Sequence, residues 1–544
     1  MKDTRDTLVT IGSSSRTVVR GEAQVTFMGT FHHTDRDPIA VVRDACTEHG
    51  RLRRRAELRN ALHALHGNFS FFMEDVDGAT LACVDKIRSF PLYYTAEGDT
   101  VRLAQHPDAL GISTRDGDRD EHSLLEFTMA GYVTAGRTIL SSVRQLQAGE
   151  FLVHDVHGLI VEAYYRFQHG EQAPYDHDAL LEEFHVATDT VFRGLIQRLR
   201  GRPVLIPLSG GYDSRFVLCE LKKRGYDRIT TFTYGVPGTF EAQRARIVAE
   251  RVGVPWRFIP YSRKFARSFF RSVQYAGYER LAHAASTTPY IMDLPALSIL
   301  ERDGAFPDDA VIVNGNSGDF STGKHIPNCF RDLEEITSAQ WIHALIQKHY
   351  ALWRQIMPSH APQWMCSRIA SVLGEPLPEV MDRETASRLF ERWDWRARQA
   401  CFVVHGQRTY EYVHRAWELP HWDDAFLQFW SRVPFAERFQ QRLYRNYLMT
   451  TDHFGCFRTI PSTRFISPPI PAMLQRCCAV FGRHQAAIAH VLLSYWQDRA
   501  YYYALYPYAA YLRHARFHRS PVSYHVRYML ERTYGMKIAT SLQA

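Results

Sequence analysis

An apolar run at residues 204–208 stops abruptly at Ser209-Gly210-Gly211, and after Asp213 and Ser214 an apolar-periodic stretch begins. The segment PLSGGYDSRFVLCEL (207–221) is therefore a buried strand, a glycine-rich turn and a helix in immediate succession. This order belongs to a parallel sheet whose strand ends feed helices. At such a strand end the loop offers unpaired N–H groups and the positive end of a helix dipole, which together make a phosphate site. Gly210 and Gly211 let the backbone approach oxygens where a Cβ would intrude, and Ser209 and Ser214 add hydroxyl donors. Asp213 would repel bare phosphate, but it fits a site in which Mg²⁺ stands between carboxylate and phosphate oxygens. The plain alternative is a turn that only joins strand to helix. The loop is not the G-x-x-x-x-G-K-[ST] type.

The surrounding sequence extends this pattern. The stretch 179–201 has helical periodicity. Strand patterns at 204–208, 229–234 and 256–260 alternate with helical ones, which predicts helices on both faces of the sheet. In EAQRARIVAERVG the residues Ala242, Ala245, Val248, Ala249 and Val252 share one helical face, and Gly253 closes it. From Ala310 a further buried strand runs into the polar loop VNGNSGDFSTGKHIP, and from about Glu334 the chain is expected to be largely helical. The first 168 residues contain short strands. Hairpins are expected at Asp77-Gly78 and at His157-Gly158, and the polar stretch 169–178 is expected to be a linker.

A chain of 544 residues predicts two or three domains, and 45% hydrophobic content supplies more than one core. The charge of +7 permits an anionic ligand and does not argue for nucleic acid, which is not expected as a partner. Nine scattered cysteines without a C-x-x-C pair exclude a zinc ribbon and a disulfide scaffold. The polar start, MKDTRDTLVT, and the lack of a long apolar run lead to the expectation of a cytoplasmic protein.

The S-G-G-x-D-S loop resembles the pyrophosphatase loop of the PP-loop ATPases. Nearly all of the chain resembles the asparagine synthetase group within them. The resemblance implies an α/β protein with a degenerate Ntn-type αββα sandwich (1–168). After it would come a PP-loop parallel-sheet synthetase domain (179–498) with a helical C-terminal part, and an aromatic and basic extension (499–544). It implies ATP and Mg²⁺ as cofactors. Leu208, Ser209, Gly210, Gly211, Asp213 and Ser214 would hold nucleotide, together with Thr233, Tyr234 and Gly235 of FTYG and with Gly315. Asp213 and Asp319 would hold the metal; as a plain alternative Asp319 is a capping residue. Lys324 and Arg445 match positions that could touch phosphate; their plain reading is solvated surface charge. Asn316 stands where the family has a catalytic Glu or Tyr. It cannot accept a proton, so the base is left among Glu241, His325 and Glu411.

VDKIRSFPLYY (84–94) resembles the glutaminase domain's R-D-x-x-G-x-x-P-L-Y-Y, and the stretch 126–150 resembles the segment joining the two domains. The glutaminase nucleophile is a cysteine at position 2 that uses its own α-amino group as base. Here Lys2 occupies that position, and Cys46 and Cys83 lie within the chain. The expectation is an inactive sandwich and a ligase that adenylylates a small-molecule carboxylate, with ammonia or an amine as nitrogen donor. In detail the chain is similar to asparagine-synthetase-like proteins of surface-polysaccharide clusters, which implies a sugar-linked uronic acid. β-Lactam synthetases and lasso-peptide cyclases are the relatives that imply an intramolecular amide instead. A tRNA-modifying enzyme and a non-catalytic nucleotide-binding subunit are the readings from other classes. The Tyr-, His- and Arg-rich stretch 499–537 suits sugar stacking, an anionic lipid surface or RNA; the plainer expectation is a helical tail packed on the synthetase core. Peripheral membrane contact and a homodimer stay open.

Overall fold

The computed structural model describes residues 7–10, 16–20, 22–32, 36–112, 118–170, 174–353, 358, 360–462, 495, 505–514, 518 and 520–536. Five strands form one sheet in the spatial order Trp256–Pro260, Ile229–Gly235, Val204–Pro207, Val311–Val313, Ala416–Glu418. Every pairing in it is parallel. Side chains alternate across the pleat. Leu205, Phe232, Tyr234 and Ile312 enter one core, with Leu294, Leu297 and Trp395. Val204, Ile206, Val311 and Val313 enter the other, with Leu195, Phe216, Val217 and Val248. From Val204–Pro207 the chain winds outward to one edge, then crosses back to Val311–Val313 on the other side. That reversal opens a crevice above the carboxyl ends of these two central strands.

The helix patterns hold in detail. Asp176 caps His177–Leu199 by accepting from Ala179 N (2.8 Å). In Phe240–Val252 all five residues of the predicted face are buried, and Gly253 closes the helix at φ 74°. The strand Ala416–Glu418 was not foreseen. It is three residues long, too short for an alternating pattern, and it lies in a stretch expected to be largely helical.

Among the described residues, the first 163 positions build a two-stranded ribbon, Thr47–Glu48 with Arg51–Leu52, and two large sheets. One has six strands in the order Gly158–Ala163, Glu150–Asp155, Thr80–Val84, Gly67–Glu74, Glu22–Phe31, Arg16–Arg20. The other has four: Thr7–Thr10, Thr100–Ala104, Tyr93–Glu97, Arg144–Gln145. Both expected hairpins are present, with Gly78 and Gly158 at positive φ. Met28, Phe72, Val84 and Leu152 of the first sheet meet Leu92, Val101, Leu103 and Leu146 on the side of the second, so the sheets lie face to face. Helices Pro38–Cys46 and Arg55–His63 cover the six-stranded sheet.

The four-stranded sheet is covered by Glu121–Ala130 together with the C-terminal helix Pro521–Thr533, through Leu124, Phe127, Val526, Met529 and Leu530. The C-terminal segment thus docks differently from the expectation. Its last helix packs on the sandwich and touches the synthetase half where Tyr275 OH meets His525 Nε2 (2.8 Å). Tyr495, Tyr506, Tyr511 and Tyr524 pack mainly on one another. Residues 499–504, 515–517, 519 and 537–544 lie outside the described residues. Among the described residues no helix is long and apolar enough to cross a membrane.

Candidate active site

The glycine-rich loop is folded by its own serines. Ser214 Oγ accepts from Ser209 N (3.0 Å) and lies 3.0 Å from Ser209 Oγ, which in turn accepts from Gly211 N (3.2 Å). The helix Tyr212–Lys223 begins without a side-chain cap, which leaves first-turn amides for a ligand. Arg215, fully buried, pins the loop from behind by donating to Gly210 O (3.1 Å), Cys456 O (2.7 Å) and Ile460 O (2.6 Å).

The second loop packs directly against the first. A Cβ on Gly315 would stand 2.6 Å from Ser214 N, and one on Gly318 would stand 2.5 Å from the Asp213 carboxyl carbon. Close approach therefore demands glycine at both positions. Leu208, Ser209, Gly211, Asp213, Ser214, Thr233, Tyr234, Gly315, Asn316 and Asp319 line one cavity of about 270 Å³ at the crevice. Gly210, Gly235 and Lys324 do not line it; Gly210 turns its carbonyl to Arg215, and Gly235 ends its strand by accepting from Tyr261 N (2.8 Å). Lys324 Nζ stands 3.5 Å from Asp319 Oδ2.

Arg445 corrects the expectation of an anion contact. It is exposed on the helix Arg442–Thr451 and does not line the cavity. Its neighbour Tyr444, the next position round the helix, is the buried one, and its hydroxyl and the Asp213 carboxyl act on each other electrostatically.

The two acids differ in environment. Burial, and then the charge of Asp319, push the Asp213 carboxyl up to about 7. Burial also acts upward on Asp319, but the hydrogen bond and charge of His325, followed by Lys324 and Arg398, outweigh it and hold that carboxyl far below the usual range. His325 Nε2 lies 3.6 Å from Asp319 Oδ1, and its Nδ1 lies 2.6 Å from Asp394 Oδ2. Two half-buried carboxylates brought together through Gly318, one of them made reluctant to ionise by the other, fit a divalent cation that supplies the missing positive charge.

Of the three proposed bases, none lines the cavity. His325 reaches it only through Asp319. Glu411 is half-buried against Arg408 and accepts from Trp417 Nε1 (3.2 Å). Glu241 is buried in its own helix.

Sequence reasoning missed one wall. The helix Arg383–Asp394 continues as a π-helix, Trp395–Val404, which turns Arg398, Gln399 and Val403 toward the cavity. Such segments concentrate at functional sites. Ser317 Oγ donates to Gln399 Oε1 (2.9 Å), tying this wall to the second loop. Tyr290, Asp293 and Asn314 complete the lining. The only trace of Asp293 in the sequence is an acid set among apolar residues before Leu294-Pro295.

Residues 196–293 match the family model of asparagine synthase, and residues 55–165 match that of a glutamine amidotransferase domain. The two matches support an asparagine synthetase-like family. Solved structures similar to the chain include an NH3-dependent NAD synthetase from Campylobacter jejuni, with 14% identity, a TM-score of 0.18 and 28% of this chain covered. Another is a glutamine phosphoribosylpyrophosphate amidotransferase from B. subtilis, with 12% identity, a TM-score of 0.18 and 55% of this chain covered. The chain spans 61% and 62% of those two chains. No curated protein matches. The asparagine synthase match, over the sheet, the first loop and Asp293, supports an ATP-dependent amide-forming ligase of the asparagine synthetase-like kind. The amidotransferase match falls on the sandwich and leaves glutamine cleavage undecided.

Proposed function

We propose that this chain is an AMP-forming amide ligase that takes its nitrogen from ammonia or an amine and not from glutamine cleaved in its own sandwich. The observation that carries the reading is the meeting of the two loops, where Gly315 and Gly318 let Asp213 and Asp319 share one cavity with Ser209, Gly211 and Ser214. Asp213 and Asp319 would hold Mg²⁺, which when bound offsets charge on the phosphate oxygens. A substrate carboxylate oxygen attacks the α-phosphorus of ATP, and pyrophosphate departs into the loop of Ser209, Gly211 and Ser214. Arg398, on the π-helix, faces the same space. The acyl carbon, now bonded to AMP, is attacked by nitrogen; the C–N bond forms and AMP leaves with the C–O electron pair. The resemblance to polysaccharide-cluster proteins makes a uronic acid the first acid to try.

Independence from glutamine is supported by the cysteines. Residue 2 is Lys. Cys46 ends a helix and has no free α-amino group, and burial pushes its thiol up to about 12. Burial raises the Cys83 thiol well above its ordinary value too. Neither is the exposed thiolate that attack on an amide requires.

The test is ATP–pyrophosphate exchange with Mg²⁺ across a panel of uronic acids, their nucleotide-linked forms and amino-acid-derived acids. Exchange is expected with at least one acid, followed by amide formation with ammonium chloride but not with glutamine. Absence of exchange across the panel would sink the ligase reading, and glutamine matching ammonium would sink the claim about the sandwich.

A further inference from the structure

Attack by nitrogen on an acyl carbon requires a group that takes the departing proton, and Asn316 cannot. Among the described residues three carboxylates line the cavity: Asp213, Asp319 and Asp293. The first two face the phosphate end. We propose that Asp293, working with Tyr290, is the proton acceptor of the reaction and the anionic end of a subsite for ammonium or a primary amine. This inference rests on the ligase reading.

Asp293 is buried immediately before the helix Leu294–Arg302. Its Oδ1 accepts from Tyr234 OH (2.5 Å) and Tyr290 OH (3.2 Å), and its Oδ2 from Tyr410 OH (2.6 Å). Tyr410 OH in turn accepts from Asn314 Nδ2 (2.5 Å), which fixes the carboxylate against the second loop. A carboxylate has about four acceptor positions, so roughly one on Oδ2 is left for an incoming N–H. Among the described residues Asp293 has no ion-pair partner. A buried carboxylate without a cation is costly, and a cationic ligand would relieve that cost. The Tyr234 and Tyr290 rings at the same wall are suited to an ammonium group.

The placement also separates the two ends of the reaction. Tyr234 and Leu294 belong to the core that includes Ile87 and Ala148 of the sandwich. Phe216 and Val217, on the helix of the phosphate loop, lie on the opposite face of the sheet. Nitrogen would therefore sit on the sandwich side of the cavity and the triphosphate across from it. In the transfer step the nitrogen lone pair forms the C–N bond and the C–O bond to AMP breaks. The proton leaving nitrogen passes to the Asp293 carboxylate, either directly or by way of the Tyr290 hydroxyl, which gives up its own proton as it takes the new one.

The experiment separates the two half-reactions in Asp293→Asn and in Tyr290→Phe, which removes the hydroxyl that donates to Asp293 (3.2 Å) and meets Tyr234 OH (3.4 Å). Exchange is run with the acid that supports it in the wild type, and transfer is run with ammonium chloride and, separately, with hydroxylamine. Hydroxylamine is far less protonated at neutral pH and needs little help from a base. Asp293→Asn is expected to keep exchange within about threefold while transfer to ammonium falls at least about 100-fold, with hydroxamate formation largely restored. Tyr290→Phe is expected to lower ammonium transfer about tenfold by the same selective route, and it decides the matter if Asp293→Asn does not fold. Loss of exchange in folded variants would assign Asp293 to the nucleotide and overturn the proposal. Unchanged ammonium transfer would overturn it as well. Absence of exchange in the wild type sinks the ligase reading itself, a result that no variant can produce.

Discussion

The two halves of this chain handle buried polar groups in opposite ways. In the synthetase half, Asp293 is buried, Asp213 and Asp319 are half-buried, and all three line an open cavity. In the sandwich, the corresponding family motif is consumed by its own fold. Asp85 accepts from the amides of Phe69 (2.7 Å), Ile87 (2.8 Å) and Ser89 (3.2 Å). Arg88, in the left-handed region at φ 57°, donates to Leu146 O (3.1 Å), Gln145 Oε1 (2.5 Å) and Tyr93 OH (3.2 Å). Its other groups dock the neighbouring half: Lys86 O accepts from Trp395 Nε1 (2.8 Å), Ser89 O accepts from Arg408 Nη2 (2.5 Å), and Lys86 Nζ donates to Asp424 Oδ1 (2.5 Å). The same motif can therefore persist as a bracket for the neighbouring domain. Polar groups facing a void suggest chemistry, and polar groups facing each other suggest architecture.

The largest effect should come from breaking the synthetase side of that contrast. Asp213→Asn and Asp319→Asn are each expected to lower ATP–pyrophosphate exchange by at least about 1000-fold. Thermal unfolding of Asp213→Asn should not fall, because the substitution removes a half-buried charge that Asp319 already opposes. Exchange surviving in either variant would dissolve the pairing of these acids at one metal.

On the sandwich side the expected loss is of stability instead. Asp85→Asn replaces one acceptor oxygen with a donor that faces an amide hydrogen, at a cost of about 1–3 kcal/mol. The pH dependence has a definite sign. Burial, set against three backbone hydrogen bonds, pushes the Asp85 carboxyl up from 3.8 to about 6. The folded state thus holds the proton more tightly than the unfolded one. Its stabilising contribution is complete below the unfolded value and is lost as pH rises through about 6. Denaturant unfolding of wild type and variant at several pH values is the measurement; their difference should shrink between pH about 4 and about 6. A difference independent of pH would mean that Asp85 stays ionised throughout.

How much of this could be foreseen depended on whether the signal was local. The phosphate loop was legible because a strand, two glycines and a helix lie within one short segment, and the face of Phe240–Val252 because 3.6-residue spacing needs no distant information. Asp293, Tyr290 and Arg398 were not, because each reaches the cavity by tertiary arrangement. Asp293 stands at the head of a helix that brings nothing else to the site, and Arg398 depends on a π-helix that no periodicity announces. Arg445 failed for the complementary reason. It was placed by resemblance to a motif, and helical rotation gave the inward direction to Tyr444. The C-terminal helix was seen as a helix, while its partner, a sheet more than 400 residues earlier in sequence, left no mark in the local pattern.

The smallest effect expected is also the sharpest separation of the two halves. Cys46 and Cys83 are the cysteines of the sandwich and both are fully buried, in the apolar layer between its six-stranded sheet and its helices. If they serve only to fill that layer, replacing both by Ala removes two sulfur atoms from a packed core and costs about 1 kcal/mol each. Such a loss would be read as a few degrees in the unfolding midpoint for a chain of this size. Exchange and ammonium-dependent amide formation should remain within about twofold of wild type, because both reactions are confined to the cavity beyond Trp395. Glutamine should support no amide formation before or after the change. A double variant that folds normally yet loses a glutamine-dependent activity present in the wild type would restore the sandwich to catalysis, and with it the view that buried thiols there can still be reached.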